Sequence, residues 1–356
     1  MRSPLPRPSR HVRFAAFVAL GTASLALSGC TGGFAPGAAT IGSTTSSSSP
    51  VSTSPTSPPT AGAISLHATA VRWRLPMPLA REAAVVVGNR VLVAGGLLSG
   101  DVTTSSAYWL KPGSGHTHPV ASLSVPVHDT AGGVGGSGNA LVVGGGSSVS
   151  LDVVQRFDAS SNSWAVVGRL PTARSDLAVA GVGGTLYVVG GYSGASAASA
   201  SILRSSNGTS WTTVARLRDP VRYPATAVVG HVLWVFGGER SGVEHDTVQR
   251  VNLVTGRSKI TAHLPQAIGH AMAVPVGGQI LVCGGRTNHG GISRTCSWFD
   301  PATSAVTRAG RLPWPLADSA VVTVGSTSYL LGGENPNVTD RVVRLQVNGL
   351  TASSSP

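Results

Sequence analysis

A pair of adjacent glycines recurs six times along this chain, at Gly95-Gly96, Gly144-Gly145, Gly190-Gly191, Gly237-Gly238, Gly284-Gly285 and Gly332-Gly333, at spacings of 49, 46, 47, 47 and 48 residues. Each pair follows a short apolar run: "VLVA", "ALVV", "LYVV", "LWVF", "ILVC" or "SYLL". Six copies of a strand-forming unit about 47 residues long leave little room for any architecture other than stacked or radial repeats. Seven residues before five of the pairs stands another glycine, at Gly88, Gly183, Gly230, Gly277 and Gly325, where a hairpin would need a positive φ. Twenty residues before five of them stands a leucine, at Leu75, Leu170, Leu217, Leu264 and Leu312. The second copy, "SLSVPVHD", runs about one residue out of step, and its long turn "GGVGGSGN" supplies the difference. With 46 glycines and only 11% charged residues, the chain lacks the Glu, Lys and Arg that coat helical surfaces, so an all-β fold is expected.

Short strands in units of this length match the size of a four-stranded propeller blade. The double glycine, an aromatic about 13 residues on (Tyr108, Phe157) and a tryptophan some six or seven beyond that (Trp164, Trp211) resemble the Kelch-repeat β-propeller, the central-domain type of galactose oxidase. Other copies depart from that pattern, with Leu203, Val251 and Leu345 near the first aromatic position. The resemblance implies a six-bladed propeller over residues 66–348. The doublets would sit where neighbouring blades converge and a Cβ would clash. After Gly333 the chain has room for one more strand, "DRVVRLQV", so the segment "HATAVRWRLP" is expected to complete the last blade and close the ring.

Ahead of the repeats, Arg2, Arg7, Arg10 and Arg13 precede an apolar stretch, Phe14 to Leu27, too short to span a bilayer as a helix. It ends "LALSGC", which resembles the lipobox of bacterial lipoproteins. That resemblance implies a signal peptide over 1–29, cleavage before Cys30, lipid on its thiol, and a membrane-anchored protein of the cell envelope outside the cytoplasm. Residues 30–65 are rich in Ser, Thr and Pro with little to bury, and read as a flexible tether; 349–356 read as a disordered tail.

The formal charge is +12, and four of the 26 basic residues lie in the signal, which leaves 22 against 14 acidic ones. No basic run resembles a nucleic-acid patch, so no nucleic acid is expected as a partner. His116 and His118 could share a strand face, but no third ligand has a readable position, and neither a metal nor a cofactor is expected. Cys283 and Cys296 fall on neighbouring strands of the fifth unit; in an exported protein they could form a disulfide or remain buried thiols.

Fourteen residues before five of the doublets stand Arg81, Asp176, Tyr223, His270 and Asp318, with Asp129 in the offset copy. In Kelch propellers this loop and the one after the doublet open on one face around the channel. The second loop adds Glu239, Arg240, Arg286, Glu334 and Asn335. Such a ring could bind a protein, peptide or glycan, or its side chains could staple neighbouring loops through their backbone. If the acids converged on one point, like charges would crowd there, and losing Asp176 or Asp318 would cost little stability. The expected function is a membrane-anchored binding or interaction module. The alternative is a carbohydrate-active enzyme, an epimerase or mutarotase, with acids and His270 moving protons.

Overall fold

The computed structural model describes residues 64–194 and 198–349; the signal, Cys30 and nearly all of the tether and tail lie outside them. Among the described residues there is no helix, and six antiparallel four-stranded sheets follow one another along the chain. Blade 1 is Ala83–Val87, Arg90–Ala94, Ala107–Lys111 and His116–Val120, and blades 2 to 5 repeat this order from inside to outside. Blade 6 takes three strands from the C-terminal end, and Ser65–Ala70 adds the fourth by pairing with Val342–Asn348, Ser65 opposite Asn348. The ring is therefore a six-bladed propeller closed by its N-terminal strand.

There is no single central core. Six apolar layers each lie between two neighbouring blades. Alternation along one strand shows why: Val91 and Val93 face the layer shared with blade 6, while Leu92 and Ala94 face the layer shared with blade 2. A strand buried on both faces reads as an unbroken apolar run, which is how each doublet came to be preceded by one. Each of Leu75, Leu170, Leu217, Leu264 and Leu312 plugs one of these layers, and Leu123 does so in the offset copy. Trp164 joins Phe157 (ring centroids 5.1 Å apart) between blades 1 and 2 and donates its Nε1–H to the Ala121 carbonyl at 2.9 Å.

The doublets make the seams. The N–H of every second glycine donates to a carbonyl of the next blade: Gly96 to Val127 (2.7 Å), Gly145 to Arg174 (2.8 Å), Gly191 to Val221 (3.0 Å), Gly238 to Ile268 (2.9 Å), Gly285 to Leu316 (2.9 Å) and Gly333 to Leu79 (2.8 Å). A Cβ on the first glycine would strike that same carbonyl, at 2.5 Å for Gly95 and 2.6 Å for Gly144. Both glycines hold positive φ, so space and backbone angle exclude other residues together. Cys283 and Cys296 lie opposite each other in blade 5 and are disulfide-bonded.

Candidate functional site

The two loops that flank each inner hairpin are knitted together at one end of the channel. One-residue bridges join Ala80 to Leu97, His128 to Gly146, Ser175 to Tyr192, Arg222 to Glu239, Gly269 to Arg286 and Ala317 to Glu334. The residue after each first member of a pair is Arg81, Asp129, Asp176, Tyr223, His270 or Asp318, and all six adopt left-handed backbone, φ between 50° and 60°. That conformation is costly for Arg and Tyr and easier for Asp and His. Its return is a chain of main-chain bonds around the mouth. The Arg81 N–H donates to the Asp318 carbonyl (3.0 Å), Asp318 to His270 (3.0 Å), His270 to Tyr223 (3.0 Å), Tyr223 to Asp176 (2.8 Å) and Asp176 to Asp129 (2.9 Å).

Since the backbone holds the ring, the side chains are left to one another. They line a cavity of about 350 Å³ whose deeper wall is formed by small inner-strand residues such as Ala84, Ala131, Ala178 and Ala225. Arg81 reaches Glu334 (2.9 Å), Asp129 (3.4 Å) and the Tyr223 hydroxyl (3.5 Å). Arg286 bonds Asp318 (3.2 Å) and Glu334. Arg222 bonds Glu239 (2.6 Å) and Asp176 (3.2 Å), and His270 Nδ1 meets Asp318 at 2.6 Å. The Tyr223 ring stacks on His270 with centroids 3.7 Å apart. Of the two arrangements open in the sequence, side-chain staples to neighbouring backbone give way to an ion-pair network. The expected crowding of like charge is corrected for Asp318, which His270, Arg286 and Arg81 flank, whereas Asp176 meets Arg222 and, with Asp318, still adds like charge that raises Asp129.

All four glutamates of the chain, with Asp129, Asp176 and Asp318, gather here: half of its 14 acidic residues in a protein that is basic as a whole. Their protonation is uneven. Burial favours neutral Asp318, but His270 and then Arg81 overcome it and hold the carboxyl down at about 2. Burial also opposes the His270 imidazolium, yet Asp318 and Glu239 raise it to about 9. His270 and Arg222 hold Glu239 at about 2. Burial pushes Asp129 up to about 7, with Arg81 opposing, and Glu244 to about 7. Glu82 is fully buried, both its oxygens lack a hydrogen-bond partner among the described residues, and its carboxyl rises to about 8.

Every mouth residue picked out in the sequence arrives here except two. Arg240 turns away to Asp219 (2.8 Å), and Asn335 lies in the short Glu334–Asn335 hairpin strand without a bond into the network. His116 and His118 stand exposed on the outer strand of blade 1, remote from the mouth. Sequence reasoning missed Glu82, Arg222 and Glu244. The first two adjoin repeat-register positions, at 81 and 223, and a neighbour-by-neighbour reading of those positions would have found them; Glu244 swings in from the far arm of a loop.

No family model matches the chain. It is 32% identical over 139 residues to the Kelch-like protein terF of Aspergillus terreus, covering 35% of this chain and 30% of that protein. It is 27% identical over 262 residues to Kelch-like protein 35 of Mus musculus, covering 67% of this chain and 41% of that protein. Less than half the length of these curated relatives is therefore spanned. The solved structure of YjhT superposes with a TM-score of 0.66 at 15% identity, covering 77% of this chain and 99% of that one, and shows the fold alone. Repeat, ring and relatives agree on the fold: the described residues form a six-bladed β-propeller of four-stranded, Kelch-like blades.

Proposed function

We propose that the chain is a lipid-anchored binding module of the cell envelope that takes a peptide or glycan at the channel mouth, held off the membrane by its tether. The observation that carries the binding role is the mouth itself, where half the acidic residues of a basic protein meet three arginines and a stacked Tyr223–His270 pair over an open cavity. Relatives that share the Kelch repeat favour an interaction role. A screen of peptide and glycan arrays tests it, with Tyr223→Ala as control. Binding that survives loss of the stacked ring would move the ligand elsewhere on the propeller.

Anchoring is supported by the basic and apolar N-terminal segments and by "LALSGC" ending at Cys30. Cys30→Ala is expected to move the protein from the membrane fraction to the medium or to an unprocessed precursor; unchanged fractionation would refute the anchor.

One feature favours the enzymatic alternative: Asp129, which burial raises to about 7 and so toward the range where a carboxyl can take or give a proton near neutrality, lines the same cavity as a His270 imidazolium raised to about 9. Proton NMR of any bound sugar separates the readings, since an epimerase or mutarotase shifts isomer ratios and a binder leaves them alone.

A further inference from the structure

We propose that Glu239, Glu244 and His270 form a site for a divalent transition-metal ion of the zinc class. One ligating atom of each residue lies within 4.8 Å of the other two. His270 carries a side chain only 4% exposed, and Asp318 occupies its Nδ1 at 2.6 Å, so Nε2 is the nitrogen presented to the cluster. Metal-binding histidines commonly have such an outer carboxylate fixing the ring. Nε2 stands 3.8 Å from Glu239 Oε2. Ligand atoms of a tetrahedral site with bonds of about 2.0–2.1 Å stand roughly 3.3 Å apart, so this pair needs to close by only a few tenths of an ångström.

The carboxylates are also pre-set. Glu239 Oε1 accepts from Arg222 (2.6 and 3.0 Å) and from the Gly242 N–H (3.0 Å), which leaves Oε2 turned toward His270. Glu244 Oε2 is buried and has no hydrogen-bond partner among the described residues. It lies against the backbone of Gly269, where a Cβ would run into it. A side chain larger than glycine before His270 would displace the Glu244 carboxylate from its present place beside the histidine. A buried Glu244 oxygen without a hydrogen-bond partner among the described residues, in a cluster where His270 Nε2 has only the long 3.8 Å pairing with Glu239 Oε2, is the sign of a place for a cation.

Two carboxylate oxygens and one imidazole suit zinc, and manganese less tightly; calcium, which takes six to eight oxygens, is not accommodated. Positions left open would face the cavity. Binding displaces the proton carried by Nε2 to solvent. The proposal does not depend on the ligand-binding reading, because the ion alone is measured.

The test is calorimetric titration of chelator-treated full-length protein with zinc chloride, manganese chloride and calcium chloride, paired with thermal melting. One equivalent of zinc is expected to bind and raise the melting temperature, and calcium to do neither. Glu244→Gln and Gly269→Ala should each weaken zinc by more than about tenfold, while the double variant His116→Gln, His118→Gln binds as wild type. Melting without metal shows whether each variant folds; should Gly269→Ala not fold, Glu244→Gln decides. Absence of saturable zinc binding, or binding that survives Glu244→Gln, or binding lost with the outer-strand histidines, overturns the site.

Discussion

At the mouth, Asp318 is the residue on which most charges depend. It is 3% exposed and serves His270, Arg286 and Arg81 at 2.6, 3.2 and 3.7 Å. Asp318→Ala would strand buried cations, and breaking a buried pair in this way costs about 3–5 kcal/mol. A clear fall in the urea midpoint is expected; an unchanged midpoint would mean that the acids crowd after all. Glu82 behaves in the opposite sense. Its folded carboxyl ionises near 8 against 4.5 for the unfolded chain, because burial disfavours the charge. Between those values the unfolded chain has released a proton that the folded one still holds, so stability is full below about 4.5 and falls as pH rises to about 8. Glu82→Gln cannot ionise: it should melt with wild type at pH 4 and a few degrees above it at pH 9, on the scale expected when a buried charge costs one or more kcal/mol. Equal melting at both pH values would show that Glu82 finds partners.

The double glycine is the element on which ring geometry turns. Gly88 and Gly284 have similar angles, φ 61° and 68°, but a Cβ on Gly88 meets nothing within 4 Å whereas one on Gly284 strikes the Leu316 carbonyl. Alanine at Gly88 should therefore cost only the backbone term, about 1 kcal/mol, and alanine at Gly284 clearly more, read as the difference between their denaturation midpoints. Elements of this kind were legible in the sequence because steric demands repeat: six doublets, five turn glycines and five leucines sit in fixed register. The site was legible only where it shares that register. Arg81, Asp129, Asp176, Tyr223, His270 and Asp318 could be counted out, and three aspartates and a histidine are the residues most at ease with positive φ. Which side chain pairs with which could not be counted, because register places Arg222 and Arg286 at the mouth without saying which acid each meets, and Glu244 reaches it from the far arm of a loop that no period encodes.

For the whole molecule, closure rests on Ser65–Ala70 pairing with Val342–Asn348. A chain starting at residue 72 would leave that last strand with a bare edge. We expect its melting temperature to fall by more than about 10 °C, the equivalent of several kcal/mol in a domain of this size, and larger species to appear on size exclusion as open edges find each other. A truncated chain that melts like the parent would show that the blade layers alone hold the ring. The main-chain bonds that circle the mouth have a different consequence. Since five main-chain bonds tie all six positions together through N–H and carbonyl groups common to all residues, the bonding of the scaffold does not itself specify which side chain each position displays. Arg, Asp, Asp, Tyr, His and Asp occupy equivalent slots in one ring. Such a molecule is a keyboard of six keys on a fixed frame: its recognition chemistry can be rewritten, by selection or by a designer, where ion-paired keys are changed together and each new residue tolerates left-handed backbone, without asking the frame to fold anew.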